Sequence, residues 1–184
     1  MVTRQSSHDM ALLDALIALP ETDFNGTIWR VVHGNRLSTD GSKGAGRWNL
    51  RQSDVLYCAL ESDGAMSEIH FHISRGQSVF PSKLQSVKYE LHAQFTKVLD
   101  LRETTVLRQL GIDLQRYQEM LYSECQKIGE AVGFLGFEAM LVPNARHKSA
   151  NLVVFLANCD LDNIGEVNHQ QIDWRAWRQA MKGV

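Results

Sequence analysis

The polar side chains best suited to chemistry lie close together in one stretch of 29 residues that begins at Gly44. Gly44 and Gly46 allow the backbone to bend and to approach a ligand closely. Arg47 follows them with a planar, permanently charged guanidinium that suits a phosphate or a carboxylate. Tyr57 lies in a short apolar run, and Glu68 follows it by eleven residues. A carboxylate, an arginine and a tyrosine delivered to one place by a glycine-rich loop, a strand and a helix would form a reaction site.

A strand and a helix are predicted to position Tyr57 and Glu68. Residues 55–60 are a short apolar run, which is typical of a strand covered on both faces. A turn signal at residues 62–64 starts a helix over residues 65–72. Glu68 lies at the edge of the apolar face of this helix, so its carboxylate can be half-buried near the end of the strand.

A second arginine lies on a strand predicted over residues 27–32. Because side chains alternate along a strand, Arg30 shares a face with Ile28 and Val32. It either points into the protein beside these two apolar residues or stands on a solvated face opposite Trp29. An inward arginine needs an anionic partner, either from the protein or from a ligand.

The remaining patterns mix helices with strands and predict a single α+β domain, for which 184 residues provide enough core. Further helices are predicted over residues 8–19, 103–110, 114–132 and 169–181, further strands over 86–92, 97–101, 137–142 and 151–156, and loops over 22–26, 34–46 and 143–150. The aromatic stripe of the last helix, at Trp174 and Trp177, is interpreted as packing.

Composition excludes several functional classes. The net charge of −2 gives no case for binding nucleic acid or an anionic membrane. The three cysteines are widely spaced and fit reduced thiols in the cytoplasm. No run approaches the roughly 18 apolar residues of a membrane span, and charged residues near the N-terminus do not suit a signal peptide.

A metal site is not expected in the helix that carries Glu68. One turn separates Glu68 from His72, but this pair lacks the HExxH spacing of a zinc site. We expect His70 to face solvent and His72 to form a hydrogen bond in the core. The glycines before Arg47 follow a loop rather than a strand, so they do not form a dinucleotide-binding fingerprint either.

Five segments of the chain, in this order, resemble the RES domain family. They are WRV at 29–31, GRWN at 46–49, VLYCA at 55–59, AMSEIHFH at 65–72 and LVPNARHKSANLVVF at 141–155. The resemblance covers roughly residues 27–160. Residues 1–26 are then expected to be an N-terminal helical extension, and residues 161–184 a C-terminal helix packed on the same domain.

The resemblance implies a fold related to the ADP-ribosyltransferase toxins, with mixed or antiparallel sheets and surrounding helices. It also implies a bacterial toxin that consumes NAD as its substrate, uses no metal and is neutralised by an Xre-like antitoxin. Activities of the family are NAD glycohydrolysis or phosphorolysis and, in some members, ADP-ribosylation of a protein acceptor. A catalytically weak module that only binds a nucleotide is the remaining alternative.

By motif position, Arg30 and Glu68 match the arginine and glutamate for which the family is named, so the resemblance implies catalytic roles for both. Arg30, Arg47 and Tyr57 match polar positions of the NAD pocket. Cleavage of the nicotinamide–ribose bond builds oxocarbenium character on the ribose, which a nearby carboxylate such as Glu68 can stabilise.

The family's serine normally follows the proline of the last segment, where this chain has Asn144. Ser149 is a second candidate in the same loop, five residues later. Both residues are therefore expected to contact NAD, with Asn144 as the structural equivalent because the adjacent proline restricts the backbone. An asparagine amide can both donate and accept hydrogen bonds, so it can replace a hydroxyl in such a contact.

Overall fold

The computed structural model describes residues 9–42, 44–81 and 83–182, and within these ranges the chain folds as a mixed sheet surrounded by helices. The strands are β1 (Glu21–His33), β2 (Val55–Ala59), β3 (Ser86–Asp100), β4 (Ala139–Pro143), β5 (Ala150–Phe155) and β6 (Ile164–Gln171). The helices are α1 (Met10–Ile17), α2 (Ser62–Ser74), α3 (Thr104–Gln109), α4 (Ser123–Phe134) and α5 (Trp174–Lys182), with single 3₁₀ turns at Leu114–Arg116 and Leu161–Asn163. The predicted single α+β domain is confirmed.

The sheet has the strand order β1-β2-β5-β4-β3-β6, and β1 also pairs with β3. This extra pairing closes five of the strands into a barrel and leaves β6 on the outside of β3. The β3–β4 pair is parallel and the other pairs are antiparallel. Apolar side chains of these strands, such as Ile28, Leu91 and Leu152, form a buried cluster.

Strands β1 and β3 are longer than the sequence pattern predicts. The loop expected at 22–26 is wrong, because these residues continue β1 and pair with β3. The two strands expected at 86–92 and 97–101 are one strand of 15 residues. Its inward side chains continue without a break through Leu91, Ala93 and Phe95, so the polar residues between them mark the outer face rather than a turn.

The long helix predicted over 114–132 is also wrong. Asp113 caps only a 3₁₀ turn, and the chain is irregular until α4 begins at Ser123. The Tyr117 hydroxyl donates to the Pro143 carbonyl oxygen at 2.8 Å. This bond ties the irregular segment, residues 117–122, to the end of β4, which a helical spacing pattern does not reveal.

At the C-terminal end, the helix predicted over 169–181 begins only at Trp174. Residues 164–171 form β6 instead, and all its side chains except that of Ile164 are exposed. An edge strand with exposed side chains needs no hydrophobic alternation, so the residues of β6 show no strand pattern. At the other end, α1 begins at Met10, and residues 1–8 of the predicted extension lie outside the described residues.

Two further buried clusters lie outside the barrel. Helices α1, α3 and α4 contribute to one of them, which includes Trp48. The other joins α2 to α5 and includes Met66, Ile73 and Trp174. In the described part of the chain no helix is long and apolar enough for a membrane span.

Candidate active site

A cavity of about 380 Å³ lies between β1, β2, α2 and the loop that precedes β2. Its charged lining consists of four arginines and one carboxylate: Arg30, Arg36, Arg47, Arg75 and Glu68. Tyr57 lines it as well. The structure thus brings together four of the six site residues predicted from sequence, which come from three separate elements and a loop.

Arg30 points into the protein from β1 and is only 7% exposed. Its Nη2 donates to the Asp40 carbonyl oxygen, while its buried Nε has no hydrogen-bond partner among the described residues. None of the salt bridges found within those residues includes Arg30. Burial lowers the pKa of this guanidinium, because the charge is removed from water. The protein therefore leaves a buried positive charge on the cavity wall without a paired carboxylate.

Arg47 is held between two aromatic rings. Its guanidinium carbon lies 4.6 Å from the ring centroid of Tyr117 and 4.6 Å from that of Tyr122, within the range of cation–π attraction. Its Nη2 also donates to the Glu119 carbonyl oxygen at 3.3 Å. Tyr117 and Tyr122, which belong to the irregular segment, thus flank Arg47 instead of following one face of a helix.

The Tyr57 hydroxyl is occupied by the loop that carries Arg47. It accepts from the Trp48 backbone N–H at 2.8 Å and donates to Asn49 Oδ1 at 2.9 Å. A Cβ at Gly46 would lie 2.6 Å from this hydroxyl, so glycine is required for the close approach. Burial raises the pKa of Tyr57, so the hydroxyl stays protonated. Tyr57 therefore fixes the loop and offers its ring to the cavity.

Glu68 reaches the cavity from α2 and is anchored through one oxygen. Glu68 Oε1 accepts from the Ala145 backbone N–H at 3.2 Å and from Asn151 Nδ2 at 3.4 Å. His72, one turn later, is exposed at the rim of the cavity. Desolvation lowers the pKa of the His72 ring; Glu68 opposes this effect and three nearby arginines add to it. We expect His72 to form a hydrogen bond in the core, but no such bond is found among the described residues.

Asn144 and Ser149 lie behind the cavity wall rather than in its lining. Asn144 is 7% exposed, and its Nδ2 donates to Asn151 Oδ1 at 2.8 Å. The Ser149 Oγ is buried without a hydrogen-bond partner among the described residues, close to Gly64 of α2. Three other residues of the same part of the chain do line the cavity: Pro143, Ala145 and Asn151.

Sequence reasoning missed Arg36, Arg75 and Asn151. Arg36 lies in the glycine-containing loop after β1 and donates to the backbone carbonyls of Asp40 and Gly41. No periodic pattern singles out a residue of such a loop. Asn151 gives a weak signal, because it is the one polar residue of an otherwise apolar run. Across the described residues, no group of three His, Cys, Asp or Glu side chains is placed to hold a metal ion.

The chain is similar to known proteins over most of its length. The model of the RES domain matches residues 27–177. The protein named NAD(+) phosphorylase MbcT, in Mycobacterium tuberculosis and in Mycobacterium bovis, is 26% identical over 144 residues, which covers 74% of this chain and 77% of the relative. A chain in the crystal structure of the M. tuberculosis MbcT–MbcA toxin–antitoxin complex matches with a TM-score of 0.83 at 20% identity, over 96% of this chain and 99% of that chain.

Proposed function

Since the chain belongs to the RES domain family, we propose that it is a bacterial toxin enzyme that consumes NAD. In the proposed reaction the bond between nicotinamide and ribose breaks, and nicotinamide leaves with the bonding electron pair. An oxygen of inorganic phosphate forms the new bond to the ribose carbon. The name of the mycobacterial relatives, NAD(+) phosphorylase, supports phosphate as the acceptor.

The observation that carries this proposal is the charge of the cavity. Four arginines and a single carboxylate line it, in a chain whose net charge is −2. Positive charge is thus concentrated where a diphosphate-containing substrate and an inorganic phosphate would have to meet. Guanidinium groups suit both anions because their planar fork matches phosphate oxygens. The volume of about 380 Å³ also lies within the range of roughly 300–1,000 Å³ usual for small-molecule sites.

Each predicted site residue has a proposed role that fits its position. Arg30 and Arg47 bind the diphosphate of NAD, and Arg30 has a buried N–H to offer. Glu68 stabilises the positive charge that develops on the ribose as nicotinamide departs. Tyr57 holds the loop of Arg47 and supplies a ring wall to the pocket.

The wider biological setting is part of the same proposal. An Xre-like antitoxin would bind and neutralise this chain; the structural neighbour comes from a toxin–antitoxin complex, which supports such a partner. The closed mixed sheet with its flanking helices supports a relation to the ADP-ribosyltransferase toxins. The cytoplasm, where NAD is abundant, would be the site of action.

The experiment that tests the proposal mixes the purified chain with NAD and follows nicotinamide release with and without inorganic phosphate. Phosphorolysis predicts release that depends on phosphate and a sugar product whose mass includes one phosphate more than ADP-ribose. Release that is indifferent to phosphate, with ADP-ribose as the product, would identify a glycohydrolase. A mass increase on an added protein would identify an ADP-ribosyltransferase. Binding of NAD without release of nicotinamide would identify a module that binds the nucleotide and does not cleave it.

A further inference from the structure

Asn144, behind the cavity wall, and Asn151, in the cavity lining, form a directional chain of hydrogen bonds that ends on Glu68. The first is Asn144, whose Oδ1 accepts from the backbone N–H groups of Arg146 at 2.7 Å and His147 at 3.0 Å. Because the oxygen of the amide is committed to these two donors, the NH2 group must face the other way. That NH2 group donates to Asn151 Oδ1 at 2.8 Å.

The second asparagine, Asn151, is oriented in the same way by the bond that its oxygen accepts. Asn151 Oδ1 is occupied by Asn144, so the NH2 group of Asn151 is the part that faces Glu68. Its Nδ2 donates to Glu68 Oε1 at 3.4 Å, beside the Ala145 N–H at 3.2 Å. Within the described residues these two donors are the hydrogen-bond partners found for the carboxylate, and both lie on Oε1. For Oε2 no hydrogen-bond partner is found among these residues.

We propose that Asn144 and Asn151 are positioning residues, which use this amide chain to fix the orientation of the Glu68 carboxylate. The inference rests on the proposed function of Glu68. It also gives Asn144, which replaces the family's serine, an indirect role: it acts on Glu68 through Asn151 rather than by touching NAD. The backbone N–H groups of the loop at residues 144–147 fix which way the Asn144 amide faces. The Asn144 NH2 group in turn fixes the Asn151 amide, so the orientation passes along the chain to Glu68.

Aspartate substitutions separate the links of this chain without changing side-chain shape. Asn151→Asp keeps the acceptor that Asn144 uses but replaces the donor to Glu68 by a carboxylate oxygen. Asn144→Asp keeps the acceptor for the two backbone N–H groups but removes the donor to Asn151. In Asn151→Asp a carboxylate oxygen therefore faces Glu68 where an N–H stood. In Asn144→Asp the new carboxylate attracts the NH2 group of Asn151, so the Asn151 amide is expected to turn its oxygen toward Glu68. Both changes oppose ionisation of the Glu68 carboxylate.

The other titratable groups that face Glu68 remain in place in these variants. They are His72 from the same helix, Arg146 from the loop, and Tyr117 from the irregular segment. A change in the pH dependence therefore reports the amide chain. The matched control is Asn158→Asp, because Asn158 Nδ2 also makes two structural bonds, to the Gly133 and Phe137 carbonyl oxygens at 2.8 Å each, but lies outside the cavity lining.

The experiment measures kcat and KM for NAD as a function of pH in the wild type, both chain variants and the control. For Asn151→Asp we expect kcat at pH 7 to fall about tenfold or more, with the KM for NAD within about twofold. The acid limb of its kcat profile should move to higher pH. Asn144→Asp should shift the limb in the same direction by less, while Asn158→Asp loses thermal stability and keeps the wild-type profile.

A second readout does not depend on turnover. Carboxyl-carbon NMR of the full chain, with the Glu68 signal assigned by its loss in Glu68→Gln, follows titration of this side chain directly. A midpoint at higher pH in Asn151→Asp supports the amide chain, and a midpoint equal to that of the wild type overturns it. If the wild type releases no nicotinamide, the proposed function fails, and the NMR titration still decides whether the asparagines govern Glu68. If Asn151→Asp does not fold, Asn144→Asp decides by the same two criteria.

Discussion

The two faces of α2 differ in what holds them and in what they do. The face toward the cavity carries Glu68 and His72, whose surroundings are charges and hydrogen-bond donors. The opposite face carries His70, whose ring lies 5.1 Å from that of Phe80 and 5.2 Å from that of Trp177. One helix thus separates a polar site from an aromatic packing cluster.

The histidines show how sharply the two faces are divided. His70 was expected to face solvent, but it is half-buried among aromatic rings of α5 and of the connection after α2. His72, expected in the core, is exposed at the cavity rim. Residues only two positions apart on a helix point about 200° apart, since each residue turns about 100°. Chemistry and stability on α2 are therefore supported by different residues, so substitutions should separate them.

The largest expected effect on stability comes from Trp174→Ala, on the aromatic side. Trp174 is fully buried, and its Nε1 donates to Ser86 Oγ at 3.0 Å. We expect the free energy of unfolding to fall by about 3–5 kcal/mol, as for large-to-small changes in a core, measured by urea unfolding. Met181→Ala on the same helix, where Met181 is 48% exposed, is the control and should change it by less than about 0.5 kcal/mol. Equal costs for both would show that α5 does not contribute a packed face.

The cavity side should respond in affinity instead. Arg30→Ala or Arg47→Ala is expected to weaken NAD binding by about 1.5–3 kcal/mol, the worth of a charge-assisted hydrogen bond. Calorimetry measures this change. Arg→Lys should restore only part of the affinity, because the planar fork is lost. Arg102→Ala, at an exposed arginine paired with Asp100, is the control; wild-type affinity in both cavity variants would remove these arginines from the diphosphate site.

Acid should destabilise the fold through His33 at the end of β1 and through the two histidines of α2, His70 and His72. Desolvation is the first cause that lowers the pKa of His33, His70 and His72 in the folded chain. As the pH falls below the unfolded value near 6.5, the unfolded chain binds more protons than the folded chain, so the free energy of unfolding decreases.

Replacing one of these histidines by a residue that does not titrate tests that sign. In His70→Phe the free energy of unfolding should fall less steeply between pH 6.5 and the lower folded-state value. The slopes of the two proteins should coincide above pH 7, where the unfolded histidine is mostly neutral. A slope at low pH that is steeper in His70→Phe than in the wild type would contradict the account.

The smallest expected effect is that of Ser149→Ala. The Ser149 Oγ is buried and lacks a hydrogen-bond partner in the described structure. Removing it should change the free energy of NAD binding and of activation by less than about 1 kcal/mol each. A loss of turnover comparable to that of a catalytic residue would place the family's serine role at Ser149 and remove it from the asparagine pair.

Much of the site could be predicted because local signals specify it. The apolar run at 55–60 forms β2 over residues 55–59, and the helix start at 62–64 lies in the first turn of α2, which begins at Ser62. Together they bring Tyr57 and Glu68 to one cavity. For Arg30, the alternation of β1 leaves an inward and a solvated orientation open, and the structure shows the inward one, beside Ile28.

What could not be predicted depends on contacts between segments far apart in sequence. Asn151 meets Glu68 only because β5 pairs with β2, ahead of α2. Tyr117 and Tyr122 leave the helical pattern to enclose Arg47, 70 or more residues earlier in the chain. Strand β6 has no hydrophobic alternation to detect, because its side chains past Ile164 are exposed.

The central claim, that the cavity face of α2 performs the chemistry, is tested most directly by Glu68→Gln. Glutamine keeps an oxygen for the Ala145 and Asn151 donors and removes only the charge. We predict that nicotinamide release from NAD falls about 100-fold or more, while calorimetry still detects NAD binding and the melting temperature is retained. The control Glu61→Gln, at the exposed start of the same helix, should release nicotinamide at the wild-type rate. Wild-type turnover in Glu68→Gln would contradict the account, because the carboxylate would then have no part in cleaving the bond.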